Sequence, residues 1–119
     1  MNVSQMMAHV TATTEAAVGK THPKRMLIGI LLGWLFKSQF YNDRPFAKNG
    51  PTHPEFKMVD EKDFESEKSR LKQIITEFHE GGPANVTKDV HSFFGALTPE
   101  QWGKGVYKHL NHHLEQFGA

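Results

Sequence analysis

The spacing of apolar positions along the chain predicts helices throughout. Met6, Met7, Val10, Ala17 and Val18 recur at helical intervals over 4–18, with Ser4 suited to cap the start and Gly19 to stop the run. A second helix is expected over 24–40, introduced by Thr21 and Pro23 and continuing as MLIGILLGWLF, which is apolar on every side and therefore buried or interfacial. From Tyr41 to Val59, Pro45, Pro51 and Pro54, together with Asn49 and Gly50, deny the backbone a continuous helix and predict a long proline-rich loop. Asp60 then precedes an acidic first turn, and Phe64, Leu71, Ile74, Ile75 and Phe78 follow at helical spacing until Gly81 and Gly82. Residues 83–97 read as irregular, with Phe93 and Phe94 tucking the segment onto the rest. Thr98, Pro99 and Gln101 supply an N-cap, a first-position proline and a capping-box partner for a last helix that runs to Phe117 and stops at Gly118. No strand-like alternation of useful length, internal repeat or low-complexity tract interrupts this pattern, so the expected fold is an all-α single domain over 1–119.

Composition narrows the chemistry. A formal charge of +1 provides no broad electrostatic footprint for a phosphate backbone, which argues against nucleic acid as a partner. With no cysteine, disulfides, thiolate ligands and cysteine nucleophiles are all excluded, and a metal would have to be held by His, Asp or Glu. The first residues lack the basic and apolar regions of a secretory signal, and the apolar run from Met26 to Phe36 is far shorter than the ~20 residues that cross a bilayer. A cytoplasmic protein with no membrane partner is therefore expected. Trp34 and Trp102 are expected in the core.

Eight histidines in 119 residues make imidazole the group to follow. At 100° per residue, His109 and His113 share the apolar stripe of the last helix set by Trp102, Val106, Leu110 and Phe117, while His112 sits on its flank and Glu115 on the other side. An i, i+4 pair has Cβ atoms about 5–6 Å apart, so both rings can reach one ion. His9, on the edge of a core-facing stripe of the first helix beside Met6 and Thr13, is the best third ligand. A lone histidine on an apolar face is more often a hydrogen-bonded core residue, and a pair can be solvated surface, as expected for His112 and His79. His53 and Glu55 in the loop and His91 before the last helix could line the mouth of a site or be ordinary solvated polar groups.

SQMMAHV on the first helix and HLNHHLEQ on the last resemble the two metal-binding stretches of the DinB-like family of helical-bundle proteins. The segment HSFFGALTPEQWGKGVYKHLNHHLEQFG and the loop KNGPTHPEF resemble a branch of that superfamily that is a domain of unknown function. The resemblance implies an up-down four-helix bundle in which His9, His109 and His113 bind a divalent metal, zinc or nickel, with Gln116 in a supporting place three residues after His113. It also implies an open coordination position and either metal-dependent hydrolysis or thiol-dependent transfer on a small-molecule substrate. The competing reading is a non-catalytic bundle that a metal merely staples, serving as an oligomeric interaction module. Members of that family usually carry one further helix before the stretch where this chain begins, so a native N-terminus is expected to be missing and one wall of the bundle with it. A helix apolar on all sides then predicts a homodimer formed through Leu27, Leu31, Trp34 and Leu35, unless the helix folds into the missing place.

Overall fold

The computed structural model describes residues 1–46 and 53–119. Among these the chain is all-helical, with α1 over Val3–Ala17, α2 over Leu27–Tyr41, α3 over Phe64–Gly81 and α4 over Pro99–Gln116. Two 3-10 turns, Pro54–Phe56 and Pro83–Asn85, and one isolated bridge between His91 and Gly95 complete it. The expected loop survives at both ends, and Asn49, Gly50 and Pro51 lie outside the described residues.

Three of the four helix starts differ from expectation, each for a local reason. In α1 the cap is Asn2, two residues earlier than Ser4, because its side chain accepts from Gln5 N while Gln5 reaches back to Asn2 N, a complete capping box. The cap of α3 is Asp63, which accepts from Ser66 N, while Asp60 is drawn away to bond Lys62 and, through its carbonyl, Gln5. The α2 helix begins at Leu27 with no side-chain cap, since Thr21 and Pro23 are followed by a stretch that tertiary hydrogen bonds hold extended. There Met26 N donates to the Ser92 carbonyl, and Arg25 Nη1 donates to the carbonyls of His91, Ser92 and Phe93. Only α4 starts as its sequence demands, with Thr98 and Gln101 forming the box around Pro99.

The first helix, α1, is central. One side of it packs on α3, where Met6, Met7 and Val10 meet Leu71 and Ile74. Its other side meets α4, and Ala17 near its end joins Val86 and Trp102 in a second cluster that Phe40, Phe78, Leu97 and Val106 surround. Thr11 and Thr14 are buried within α1 without loss, because each hydroxyl donates to the carbonyl one turn back.

Helix α2, expected to be buried or interfacial, is not buried among the described residues. Among the helices it packs on α4 alone, and only Gly29 and Gly33 are buried. Those glycines admit the backbone of Phe93, so close that a Cβ at Gly33 would stand 1.9 Å from the Phe93 carbonyl oxygen. Trp34, expected in the core, is 70% exposed, whereas Trp102 is buried against Phe40. Gly105 of α4 makes room for that Phe40 ring.

Candidate metal centre

The α1–α4 contact brings together three imidazoles from opposite ends of the sequence. His9 on α1 and His113 on α4 are buried, and His109 lies between them. The Nε2 atom of His109 is 3.0 Å from that of His9 and 3.0 Å from that of His113. Their ring centroids are 4.6–4.9 Å apart with the planes close to perpendicular, an edge-on arrangement around a common point. Among the described residues this is the one group of three or more His, Cys, Asp or Glu positioned to hold an ion, with its ligand atoms all within 4.8 Å of one another.

The partners of the opposite ring nitrogens fix where the protons are. Nδ1 of His9 faces the Phe56 carbonyl at 2.7 Å, and a carbonyl can only accept, so Nδ1 carries the hydrogen. Nδ1 of His113 faces Gln116 Oε1 at 2.9 Å and donates likewise, while the Gln116 amide nitrogen is turned to His112. Thr13 Oγ1 gives its own hydrogen to the Val10 carbonyl and so accepts from His109 Nδ1 at 3.3 Å. All three rings, when neutral, therefore direct an unprotonated Nε2 lone pair to the same point. The 3.0 Å contacts between those nitrogens cannot be hydrogen bonds with neither atom protonated. Lone pairs so arranged could hold a cation between them.

Electrostatics keeps the rings neutral. Burial lowers the pKa of His9, partly offset by its bond to Phe56, and lowers that of His109 well below its ordinary value, with the neighbouring imidazoles adding to the effect. Burial takes His113 down to about 4 against the opposing bond to Gln116. A tetrahedral ion with bonds of about 2.0–2.1 Å separates its nitrogens by roughly 3.3 Å, within a few tenths of an ångström of the two 3.0 Å spacings around His109.

The remaining sequence candidates separate into supporting and peripheral groups. Gln116 holds His113, as the resemblance implied. His112 is half-buried, and its Nε2 is turned to the Gln116 amide at 3.3 Å. His53 bonds the Lys24 carbonyl through Nε2 and receives Glu55 N at Nδ1, and Glu55 accepts from Lys24 N. These bonds tie the 53–56 turn to the start of α2, one residue from the carbonyl that orients His9. His91 Nδ1 accepts from the backbone N–H groups of Phe93 and Phe94, and its ring packs on Phe40, Phe94 and Trp102. Burial, with Arg25 and His53 nearby, lowers its pKa to about 4. Thr13, the Phe56 carbonyl and Phe46, whose ring stands edge-on to His109 and His112, had no place among the sequence candidates. Thr13 carried a signal, standing one turn after His9 on the same face, whereas a loop carbonyl carries none.

The profile of the family described as "Protein of unknown function (DUF1569)" matches residues 2–119. The chain belongs to the DUF1569 family. No curated protein and no solved structure matches it. The DUF1569 match covers both His9 and the His109–His113 pair, so the whole histidine cluster lies within the family's span.

Proposed function

We propose that this protein binds a divalent cation, zinc or nickel, through Nε2 of His9, His109 and His113, as a metalloprotein of the DinB-like kind. The convergence of three Nε2 lone pairs, each set by a hydrogen bond at the opposite nitrogen, carries the reading. Three protein ligands leave one tetrahedral position open, as catalytic sites do and closed structural sites do not. An ion held by His9, His109 and His113 would supply Lewis acidity to a water or small-molecule substrate, the chemistry that hydrolysis or thiol-dependent transfer needs. The chain's part is to hold neutral rings in fixed orientation, with Phe46 narrowing the approach beside His109. A second reading, in which the ion only staples α1 to α4, has the position of the triad in its favour, since it bridges helices whose sequences are a hundred residues apart.

Elemental analysis of protein purified without a polyhistidine tag, alongside His9→Ala, His109→Ala and His113→Ala, tests the binding. Near-stoichiometric metal in the parent and loss in each variant is expected. Absence of metal after incubation with zinc, nickel or cobalt would sink it. Chelation then separates the two readings. An unchanged helical signal, with loss of a visible cobalt spectrum that responds to added small anions, fits an open catalytic ion, and unfolding on chelation fits the staple.

A further inference from the structure

Helix α2 presents the largest unexplained surface of the molecule. Its glycine face is committed to Phe93, and its opposite face carries Leu27, Leu31, Trp34 and Leu35, which are 72%, 61%, 70% and 52% exposed. Ile28, Ile30, Leu32 and Phe36 widen it, each at least 39% exposed. At about 150–200 Å² per large apolar residue, the patch is on the order of 700 Å². That exceeds the roughly 300–600 Å² typical of the largest patch on a monomer and approaches the ~800 Å² per partner of a stable interface.

We propose that this face is the interface of a two-fold homodimer in which α2 of one chain packs antiparallel on α2 of another. From Met26 to Phe36 the helix carries no charged residue, so the face has nothing to offer a charged partner and nothing to repel its own copy. The one polar side-chain atom among these residues is already satisfied, because Trp34 Nε1 donates to the Leu31 carbonyl at 3.2 Å. The indole can thus be buried without leaving an unpaired donor. Leu27, Leu31, Trp34 and Leu35 follow the i, i+4, i+7, i+8 spacing that lets one helix seat against another. An antiparallel crossing places the positive N-terminal end of each helix beside the negative C-terminal end of its partner, whereas a parallel one sets like ends and both Lys37 side chains together. Among the described residues, α1, α3 and α4 direct their buried apolar side chains to the two core clusters and leave this patch uncovered.

Sedimentation equilibrium of the full chain from about 1 to 100 µM, with Leu31→Lys and Trp34→Ser, is the test. The parent should weigh two chains, and each variant should weaken association roughly 100-fold or more, because a two-fold interface contains every substitution twice. Folding of the variants is checked by circular dichroism and by cobalt uptake at the histidine triad, to which α2 contributes no ligand. Since the chain has no cysteine, Leu31→Cys alone should oxidise to a covalent dimer, its position lying at the centre of the patch, while Leu27→Cys should not. A parent that weighs one chain at every concentration overturns the proposal. So does a dimer indifferent to Leu31 and Trp34, or a monomer that instead binds vesicles of phosphatidylcholine and phosphatidylglycerol through this face.

Discussion

A hydroxyl one turn after His9 decides which nitrogen His109 offers to an ion. Because Thr13 Oγ1 gives its own hydrogen to the Val10 carbonyl it can only accept from His109, and the His109 proton is thereby held on Nδ1. Replacing Thr13 with Val keeps the shape and removes the acceptor, so His109 can then present a protonated Nε2. Metal affinity should fall by about 10–100-fold in Thr13→Val and recover in Thr13→Ser, read by competition with a chromophoric chelator. Equal affinity in Thr13→Val and the parent would show that the tautomer is set elsewhere. His112→Ala should leave metal occupancy nearly intact, since His112 Nε2 faces the Gln116 amide and not the common point. At this scale the sequence revealed the three rings, because histidines at i and i+4 on an apolar stripe are a side-chain pattern. It could not reveal Phe56, whose contribution is a backbone carbonyl delivered by a loop.

Among the helices, existence and type followed from periodicity, while their starts and their packing did not. Apolar spacing marks a helix face from within one segment, but the choice between Ser4 and Asn2, or Asp60 and Asp63, depends on which side chain finds its backbone partner. Leu27, Leu31, Trp34 and Leu35 were expected on an outward face of α2 and are exposed, but its inward face was least legible, since Gly29 and Gly33 mark a contact only once Phe93 is known to lie there. Two helical glycines separate packing from propensity. In Gly33→Ala the new methyl would collide with a backbone carbonyl, so α2 must lift from Phe93, and a loss of about 1–3 kcal/mol is expected from overpacking. Gly103 in α4 has nothing within 4 Å of the position its Cβ would take, so Gly103→Ala should gain up to about 1 kcal/mol through helix propensity alone. Denaturant midpoints measure both. A neutral Gly33→Ala would mean that α2 is not anchored through its glycine face.

Across the whole molecule, burial of histidine couples stability to pH and shapes how metal binds. His9, His91, His109 and His113 hold fewer protons when folded than when unfolded, where each titrates near 6.5, and two of them are taken down to about 4. Between pH 6.5 and about 4 the unfolded chain therefore binds more protons, and the stability of the metal-free protein should fall as pH falls through that window. His91→Asn, which retains an acceptor for the Phe93 and Phe94 N–H groups, should be less stable at pH 7 yet lose less between pH 6.5 and 4. The same depression means that the folded triad loses its protons at a lower pH than free imidazoles do. Three imidazoles at the ordinary value would release about two protons to an arriving ion at pH 6, whereas rings held neutral by burial release fewer. Titration calorimetry at pH 6 in two buffers of different ionisation enthalpy should therefore report fewer than two protons released per zinc bound. The stabilisation from saturating zinc, about 2.7 kcal/mol at a hundred times the dissociation constant, should fall with pH and be lost as His113 takes up its proton near pH 4. Release of two protons at pH 6 would show that the metal-free protein opens α1 from α4 and hydrates the rings, so that binding must first close the site.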